Sequence, residues 1–211
     1  MRISEKTKAK EHRGEGVGAK YIPYIKTSEI NSLGTTANPI DWKNGRTIQL
    51  LSQGELFLYY DLRWNDDVVD IREQFPLDLK LTLEIADANS IKHPKDRNTR
   101  MTTDMLVTMS NGLLKAYSVK NDKKVLNDDR TVEKLFIEKK YWEVKGIPYV
   151  LIYKDDIPQQ RVSNIRRVVE YYDKNKIHDD VSRIKHLIAT KQIKVNMDEP
   201  LDFKELVKLL P

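Results

Sequence analysis

An aspartate and a lysine on the two arms of one predicted β-hairpin are the residues of this chain best suited to chemistry. Residues 101–109 are rich in β-forming residue types, the Ser-Asn-Gly sequence at 110–112 is typical of a turn, and residues 113–120 return as the second arm. Asp104 lies on the first arm, and Lys120 ends the second. We therefore expect the two side chains to converge at one end of the hairpin.

A carboxylate, a backbone carbonyl and an ammonium placed together suit a hard divalent cation beside a phosphodiester. Asp104 and the carbonyl of Val119 offer the oxygen ligands that Mg²⁺ prefers. Lys120 can orient a water molecule or neutralise charge on the phosphorane. Glu55, which opens a predicted helix upstream, adds a second carboxylate.

Each of these residues also has a purely structural interpretation. Ser52-Gln-Gly-Glu55 is a capping box, in which the glutamate satisfies backbone donors at the start of a helix without any metal. Asp104 fits a charged edge strand, Lys120 fits a solvated strand end, and Ser118 fits an ordinary strand position. The spacing alone is compatible with a catalytic site and also with charged residues that have only structural roles.

Composition narrows the class of protein. The 211 residues are 39% hydrophobic and 33% charged, which fits a soluble globular chain with one core and a small appended module. Because we find neither a membrane-spanning run nor a signal-peptide pattern, we expect a cytoplasmic protein, associated with the nucleoid when bound to DNA. The lack of cysteine excludes disulfides, thiolate metal sites and a cysteine nucleophile, and the four histidines lack zinc-ligand spacing.

Positive charge is concentrated towards the N-terminus, where residues 1–50 hold nine Lys/Arg against five Asp/Glu. We predict that residues 1–20 form a flexible basic arm that contacts phosphates, because neutralising phosphates releases condensed counterions. A basic loop at 91–100 offers further contacts. The candidate DNA-binding residues are Lys8, Lys10, Arg13, Lys20, Lys92 and His93. A solvated N-terminus without any DNA contact is the alternative interpretation.

The remaining pattern predicts an α/β domain followed by helices. A strand at 68–73 and a nearly continuous apolar run at 147–153, typical of a buried central strand, flank the hairpin in sequence. Helical patterns dominate after residue 156. We therefore predict a catalytic domain over 21–156 and a small helical C-terminal module over 157–211.

Lysines and glutamates alternate along an amphipathic helix predicted over 132–145. Glu133, Glu138 and Glu143 each have lysines nearby in the sequence. Such alternation is typical of an ordinary solvated helix surface, so we assign these side chains no role in a site.

Several short blocks, occurring together and in order over about residues 12–155, resemble the TnsA family. TnsA proteins are the endonuclease subunits of the heteromeric transposases of TnsA/TnsB/TnsC-type transposons. The blocks are Arg13-Gly-Glu-Gly-x-Gly18, Tyr21-Ile-Pro-Tyr24, Gly45-Arg-x-x-x-Leu-Leu-Ser-x-x-Glu55, Asp70-Ile-Arg-Glu-Gln-Phe-Pro-Leu77, Ile91-Lys-His-Pro94, Met101-Thr-Thr-Asp104, Val119-Lys120, Arg130-Thr-Val-Glu-Lys-Leu135 and Lys140-Tyr-Trp142. The blocks that begin at Asp70 and at Ile91 make the resemblance specific.

The resemblance implies an α/β fold of the restriction-endonuclease type, a mixed sheet flanked by helices, with a reduced, winged-helix-like C-terminal module. It implies a PD-(D/E)xK nuclease that uses Mg²⁺, with Mn²⁺ able to substitute, and cleaves the 5′ ends of a transposon. The implied partners are transposon-end DNA, a TnsB-like transposase that acts on the 3′ ends and a TnsC-like ATPase. The compact C-terminus suits, by analogy, the shorter TnsA proteins of CRISPR-associated transposons.

The family's acidic pair falls on Glu55 and Asp104, its catalytic lysine on Lys120, and a further metal ligand on the Val119 carbonyl. Ser118 lies where well-known members carry glutamine and the wider nuclease family carries glutamate, and a serine there is a weaker metal ligand. Two alternatives stay open beside the active nuclease. One is a non-catalytic assembly subunit that bridges TnsB, TnsC and DNA, and the other is a stand-alone restriction-type nuclease.

Overall fold

A four-stranded mixed sheet lies at the centre of the computed structural model, which describes residues 3–30, 35–94 and 96–210. The strands lie side by side in chain order: β1 (Val68–Pro76), β2 (Thr102–Met109), β3 (Leu114–Lys120) and β4 (Tyr149–Tyr153). β2 is antiparallel to β1 and β3, whereas β4 is parallel to β3. The mixed sheet and its flanking helices confirm the predicted restriction-endonuclease-like α/β fold class.

The α-helices of the described ranges are capped largely by polar side chains. They are α1 (Glu5–Lys10), α2 (Gln53–Trp64), α3 (Leu79–Ala88), α4 (Asp129–Val144), α5 (Gln159–Val169), α6 (Asp180–Ala189) and α7 (Phe203–Leu206). Ser52 accepts the Glu55 N–H at the start of α2, and Asp128 accepts the Thr131 N–H at the start of α4. Across these ranges, no helix has both the length and the apolar character needed to cross a membrane.

Two apolar clusters hold α2 and α4 against the sheet. In the first, Leu58 and Tyr59 of α2 pack with Met105 of β2 and Val119 of β3. In the second, residues of α4, including Ile137 and Trp142, pack with Leu106 and Ala116 of the same two strands, and α3 joins them. Because both clusters include the β2–β3 hairpin, they position residues of both helices relative to it.

The N-terminal segment is folded, so the prediction of a flexible basic arm over 1–20 is wrong for its described part, residues 3–20. The Arg13 side chain is only 2% exposed and forms ion pairs with Glu29 and, at 2.7 Å, with Glu11. At Gly14, where φ is +84°, a Cβ atom would lie 2.3 Å from the ring of Pro76. Glycine therefore permits the close approach of this segment to β1.

β4 is an edge strand, which corrects the prediction of a buried central strand over 147–153. Among the described strands it pairs only with β3, and Val150 is 37% exposed. Tyr149 packs on one apolar cluster and Ile152 on the other, so the strand has apolar contacts on both of its faces. A continuous apolar run therefore indicates that a strand has apolar contacts on both faces. It does not show whether the strand lies at the centre or at the edge of the sheet.

The helices after residue 156 form a third apolar cluster. Ile165 of α5, Ile184 of α6 and Phe203 of α7 are buried together. The outer side of α2 borders this cluster through Tyr60 and Trp64. The helical character of this region is confirmed, whereas a domain boundary near 156 stays a prediction.

Replacing Arg13 by alanine tests the packed N-terminal segment. We expect Arg13→Ala to lower the free energy of unfolding by about 3 kcal/mol, because Glu29 would keep its shielded carboxylate without a cation. Urea unfolding measures the change. Arg97→Ala is the control, because Arg97 forms an exposed pair with Asp87 and should change little. Equal stabilities for the two variants would contradict a packed segment.

Candidate active site

Asp104 and Lys120 meet at one end of the β2–β3 hairpin, as the hairpin spacing predicted. The Val119 N–H donates to Asp104 Oδ2 at 2.7 Å. Lys120 Nζ lies 3.5 Å from the same oxygen and donates to the Val119 carbonyl at 3.1 Å. The charge of Asp104 is the main cause that raises the pKa of Lys120, which therefore stays protonated at neutral pH.

Glu55 reaches the site from the first turn of α2, where its carboxylate is buried. Its Oε2 accepts the Leu51 N–H at 2.9 Å and Gln74 Nε2 at 3.0 Å, and its Oε1 accepts the Ser52 hydroxyl at 3.1 Å. Burial, followed by the charge of Asp104, raises the pKa of Glu55 to about 8. Glu55 thus stabilises the helix start and also brings a carboxyl group to the site.

Gln74 supports Glu55 from a strained position in β1. Its φ of 50° is left-handed, which is costly for a non-glycine residue inside a strand. Its amide nitrogen donates to Glu55, while its amide oxygen accepts the Thr102 hydroxyl at 3.4 Å. Sequence reasoning missed this role, although Gln74 belongs to one of the blocks that carry the TnsA resemblance.

Glu138 of α4 is a third carboxylate at the site, so the prediction of a solvated surface position is wrong for this residue. It is buried, and its Oε1 accepts the Ser118 hydroxyl at 2.6 Å and the Thr103 hydroxyl. Burial and then the charge of Asp104 raise the pKa of Glu138 to about 7. Local charge alternation misled the sequence analysis.

The apolar periodicity of α4 could have identified Glu138. Leu135 and Trp142 lie three residues before and four residues after it, and both are buried. Residues at these spacings share one face of a helix. A glutamate at a buried position between apolar residues is unusual, and this signal could have drawn attention to Glu138.

Ser118 positions the glutamate of α4 in this structure. Its hydroxyl donates to Glu138, which brings a carboxylate to the neighbourhood of the position where the family carries glutamine or glutamate. Thr103, the second hydroxyl on Glu138, itself accepts the Trp142 indole N–H at 3.1 Å. The serine therefore belongs to a buried hydrogen-bond network that fixes the third carboxylate.

A cavity of about 300 Å³ opens onto this site. Its lining includes Asp104, Lys120 and Glu138. A larger cavity of about 920 Å³ lies between α2 and α5 and is lined by none of the site residues, so cavity size alone does not locate the chemistry. Within the described ranges, no three His, Asp or Glu side chains are grouped closely enough to hold a metal ion as they stand.

Comparison with known proteins shows the family to which the chain belongs. Residues 65–154 match the family model described as the TnsA-like endonuclease N terminal. The chain is 39% identical over 151 residues to Escherichia coli "Transposon Tn7 transposition protein TnsA". The matched region covers 70% of the chain and 55% of that protein. The chain is a TnsA-type protein. It spans about half the length of this curated relative.

The six predicted DNA-binding residues of the TnsA-type protein fall into two groups. Lys10, Lys20 and Lys92 are exposed. The other three are buried, which corrects their assignment as phosphate contacts. Lys8 lies 3.9 Å over the Tyr24 ring, Arg13 is ion-paired, and His93 Nε2 lies 3.2 Å from the Thr82 hydroxyl. Lys95 of the predicted basic loop lies outside the described ranges.

The raised pKa values predict how the stability of the metal-free TnsA-type protein depends on pH. A carboxyl whose pKa is higher in the folded state holds its proton longer there, so stability falls as pH rises from the unfolded pKa to the folded one. For Glu138 this window runs from about 4.5 to about 7, and for Glu55 it extends to about 8. We expect Glu138→Gln to flatten the fall between pH 5 and 7, measured by urea unfolding in a chelator.

Glu143→Gln is the matched control on the same helix. Glu143 is exposed and paired with Lys140, and the hydrogen bond from Lys140 lowers the pKa of Glu143. The pH range over which Glu143 affects stability therefore lies below pH 4.5. This variant should keep the parental slope between pH 5 and 7. A parental slope for Glu138→Gln as well would show that Glu138 ionises normally in the folded protein.

Proposed function

We propose that this TnsA-type protein is a metal-dependent DNA endonuclease subunit of a transposase. It cleaves the 5′ ends of a transposon during cut-and-paste transposition, together with a TnsB-like transposase that acts on the 3′ ends and a TnsC-like ATPase. One observation carries the proposal: Asp104 and Lys120 meet at a cavity beside two buried glutamates. The similarity to TnsA gives the reaction class.

The donor set suits Mg²⁺, or Mn²⁺ in its place. Asp104, the Val119 carbonyl, Glu55 and Glu138 supply oxygen atoms only, which hard divalent cations prefer. Burial and then the charge of Asp104 raise the pKa values of both glutamates, and a bound cation would favour their ionised forms. Oδ2 of Asp104 is engaged by Val119 and Lys120, and within the described ranges Oδ1 accepts no hydrogen bond, which leaves it available to a cation.

Lys120 acts through its charge rather than as a base. Its ammonium is held by Asp104 and the Val119 carbonyl, and its raised pKa keeps it protonated at neutral pH. A protonated lysine can donate hydrogen bonds to an attacking water or to a phosphorane oxygen. A bound divalent cation would supply a more acidic water and neutralise charge on the phosphate.

We also expect the DNA cleavage to be controlled by the partner proteins. Unrestrained cutting by a nuclease would destroy the host DNA. The isolated protein should therefore cleave little, and 5′ nicking should require the TnsB-like partner on end-containing DNA. Efficient, sequence-indifferent cutting by the purified chain alone would contradict this requirement.

Removing the central pair tests the catalytic assignment. We expect Asp104→Ala and Lys120→Ala each to lower 5′-strand nicking by about 100-fold or more, because each removes charge that acts on the reacting phosphate. Nicking is mapped on end DNA with the TnsB-like partner and Mg²⁺. Glu138→Ala should have a comparable effect, and Glu143→Ala on the same helix should not.

Folding and partner binding of each variant are measured in parallel, by circular dichroism and by co-purification with the TnsB-like protein. Both should be retained in Asp104→Ala and Lys120→Ala, because neither side chain belongs to the apolar clusters. If both variants nick at the parental rate, the catalytic assignment is wrong. The non-catalytic assembly subunit then becomes the better interpretation.

Ser118 should contribute more modestly than the charged residues. Ser118→Ala removes one of the two hydroxyls on Glu138 Oε1, and Thr103 remains. We expect about a tenfold loss of nicking, corresponding to one hydrogen bond to a charged group. A Mg²⁺ titration should show the loss as a higher requirement for metal. Ser118→Ala with unchanged activity and metal requirement would remove serine from the site.

A further inference from the structure

One face of α4 lines the catalytic cavity. Thr131, Lys134, Leu135 and Glu138 border it, opposite Asp104 and Lys120 of the hairpin. Residues three and four positions apart lie on the same side of a helix. Glu138 is buried at the inner end of this face, whereas Lys134, one turn towards the start of the helix, is exposed. The ammonium of Lys134 therefore lies near the mouth of the cavity.

Lys134 differs from the neighbouring lysines of the same helix. Lys139 and Lys140 both pair with Glu143, at 3.9 and 2.7 Å. Lys134 forms no ion pair with any residue in the ranges that the structure describes. Its charge is thus available to an anion outside the protein.

We propose that Lys134 binds the phosphate next to the one that is cleaved. A phosphodiester strand carries a regular row of charges, and only one of them can lie between Asp104, Lys120 and Glu138. Four residues advance a helix by about 6 Å, a length comparable with the separation of neighbouring phosphates along one strand. With the scissile phosphate beside Glu138, a neighbouring phosphate lies beside Lys134.

The negative charge of the cavity explains why an ammonium at its mouth helps DNA to bind. The carboxyl groups of Asp104 and Glu138 line the cavity, and negative charge there repels a polyanion. An ammonium at the mouth offsets part of this repulsion on the approach path. Such a contact holds the strand without reading its sequence. It rests on the proposed nuclease function and names Lys134 as a positioning residue within it.

Binding and cleavage of end DNA by full-length Lys134→Ala test the contact, with Lys139→Ala as the matched control. Affinity is measured by fluorescence anisotropy in a chelator, so it does not depend on cleavage. We expect Lys134→Ala to weaken binding about tenfold and to reduce the slope of log K against log salt by about one. In nicking assays with the TnsB-like partner and Mg²⁺, its KM should rise while its kcat stays within about twofold.

Lys134→Arg should restore parental affinity, and Lys139→Ala should retain it. Parental affinity and salt slope for Lys134→Ala would overturn the proposal, as would a fall in kcat without a change in KM, or equal losses for Lys134→Ala and Lys139→Ala. The nuclease function is judged separately by Asp104→Ala. If Asp104→Ala is inactive while Lys134→Ala binds and nicks as the parent does, the phosphate contact fails and the nuclease assignment stands.

Discussion

The burial of two glutamates beside Asp104, with Lys120 as the ammonium that faces it, is the constraint on which the rest of this structure depends. Burial and then the charge of Asp104 raise the pKa values of both Glu55 and Glu138. Buried like charges reduce the stability of a fold, and arrangements of this kind concentrate at functional sites. The arrangement therefore supports the function proposed for this site.

The fold holds each glutamate with neutral donors, which fix its position without cancelling its charge. Glu55 takes its hydrogen bonds from a backbone N–H, a serine and the strained Gln74. Glu138 takes its bonds from the hydroxyls of Ser118, Thr103 and Tyr149. The hairpin lies within both main apolar clusters, so small shifts of α2 or α4 would change the distances between the carboxylates. The outer side of α2 also borders the C-terminal helices, which links them to the site.

Local signals predicted the parts of the site that depend on neighbouring residues. The turn at 110–112 determines the hairpin, so the meeting of Asp104 and Lys120 followed from spacing. The capping sequence placed Glu55 in the first turn of α2. The predictions that were wrong came from patterns that fit more than one tertiary arrangement. An apolar run fitted a central strand or a covered edge strand, and a basic glycine-containing segment fitted a flexible arm or a packed one.

The sequence by itself determined the hairpin, the helix start that carries Glu55, the mixed α/β class and the TnsA resemblance. Each of these rests on periodicity, turn chemistry or ordered blocks within the chain. Apolar periodicity marks the buried side of α4, but only the tertiary structure decided that Glu138 on this side meets Thr103 and Ser118 of the hairpin. It likewise decided that Arg13 is buried against Glu29. Contacts between residues distant in the chain depend on how whole elements pack, and no local pattern encodes that packing.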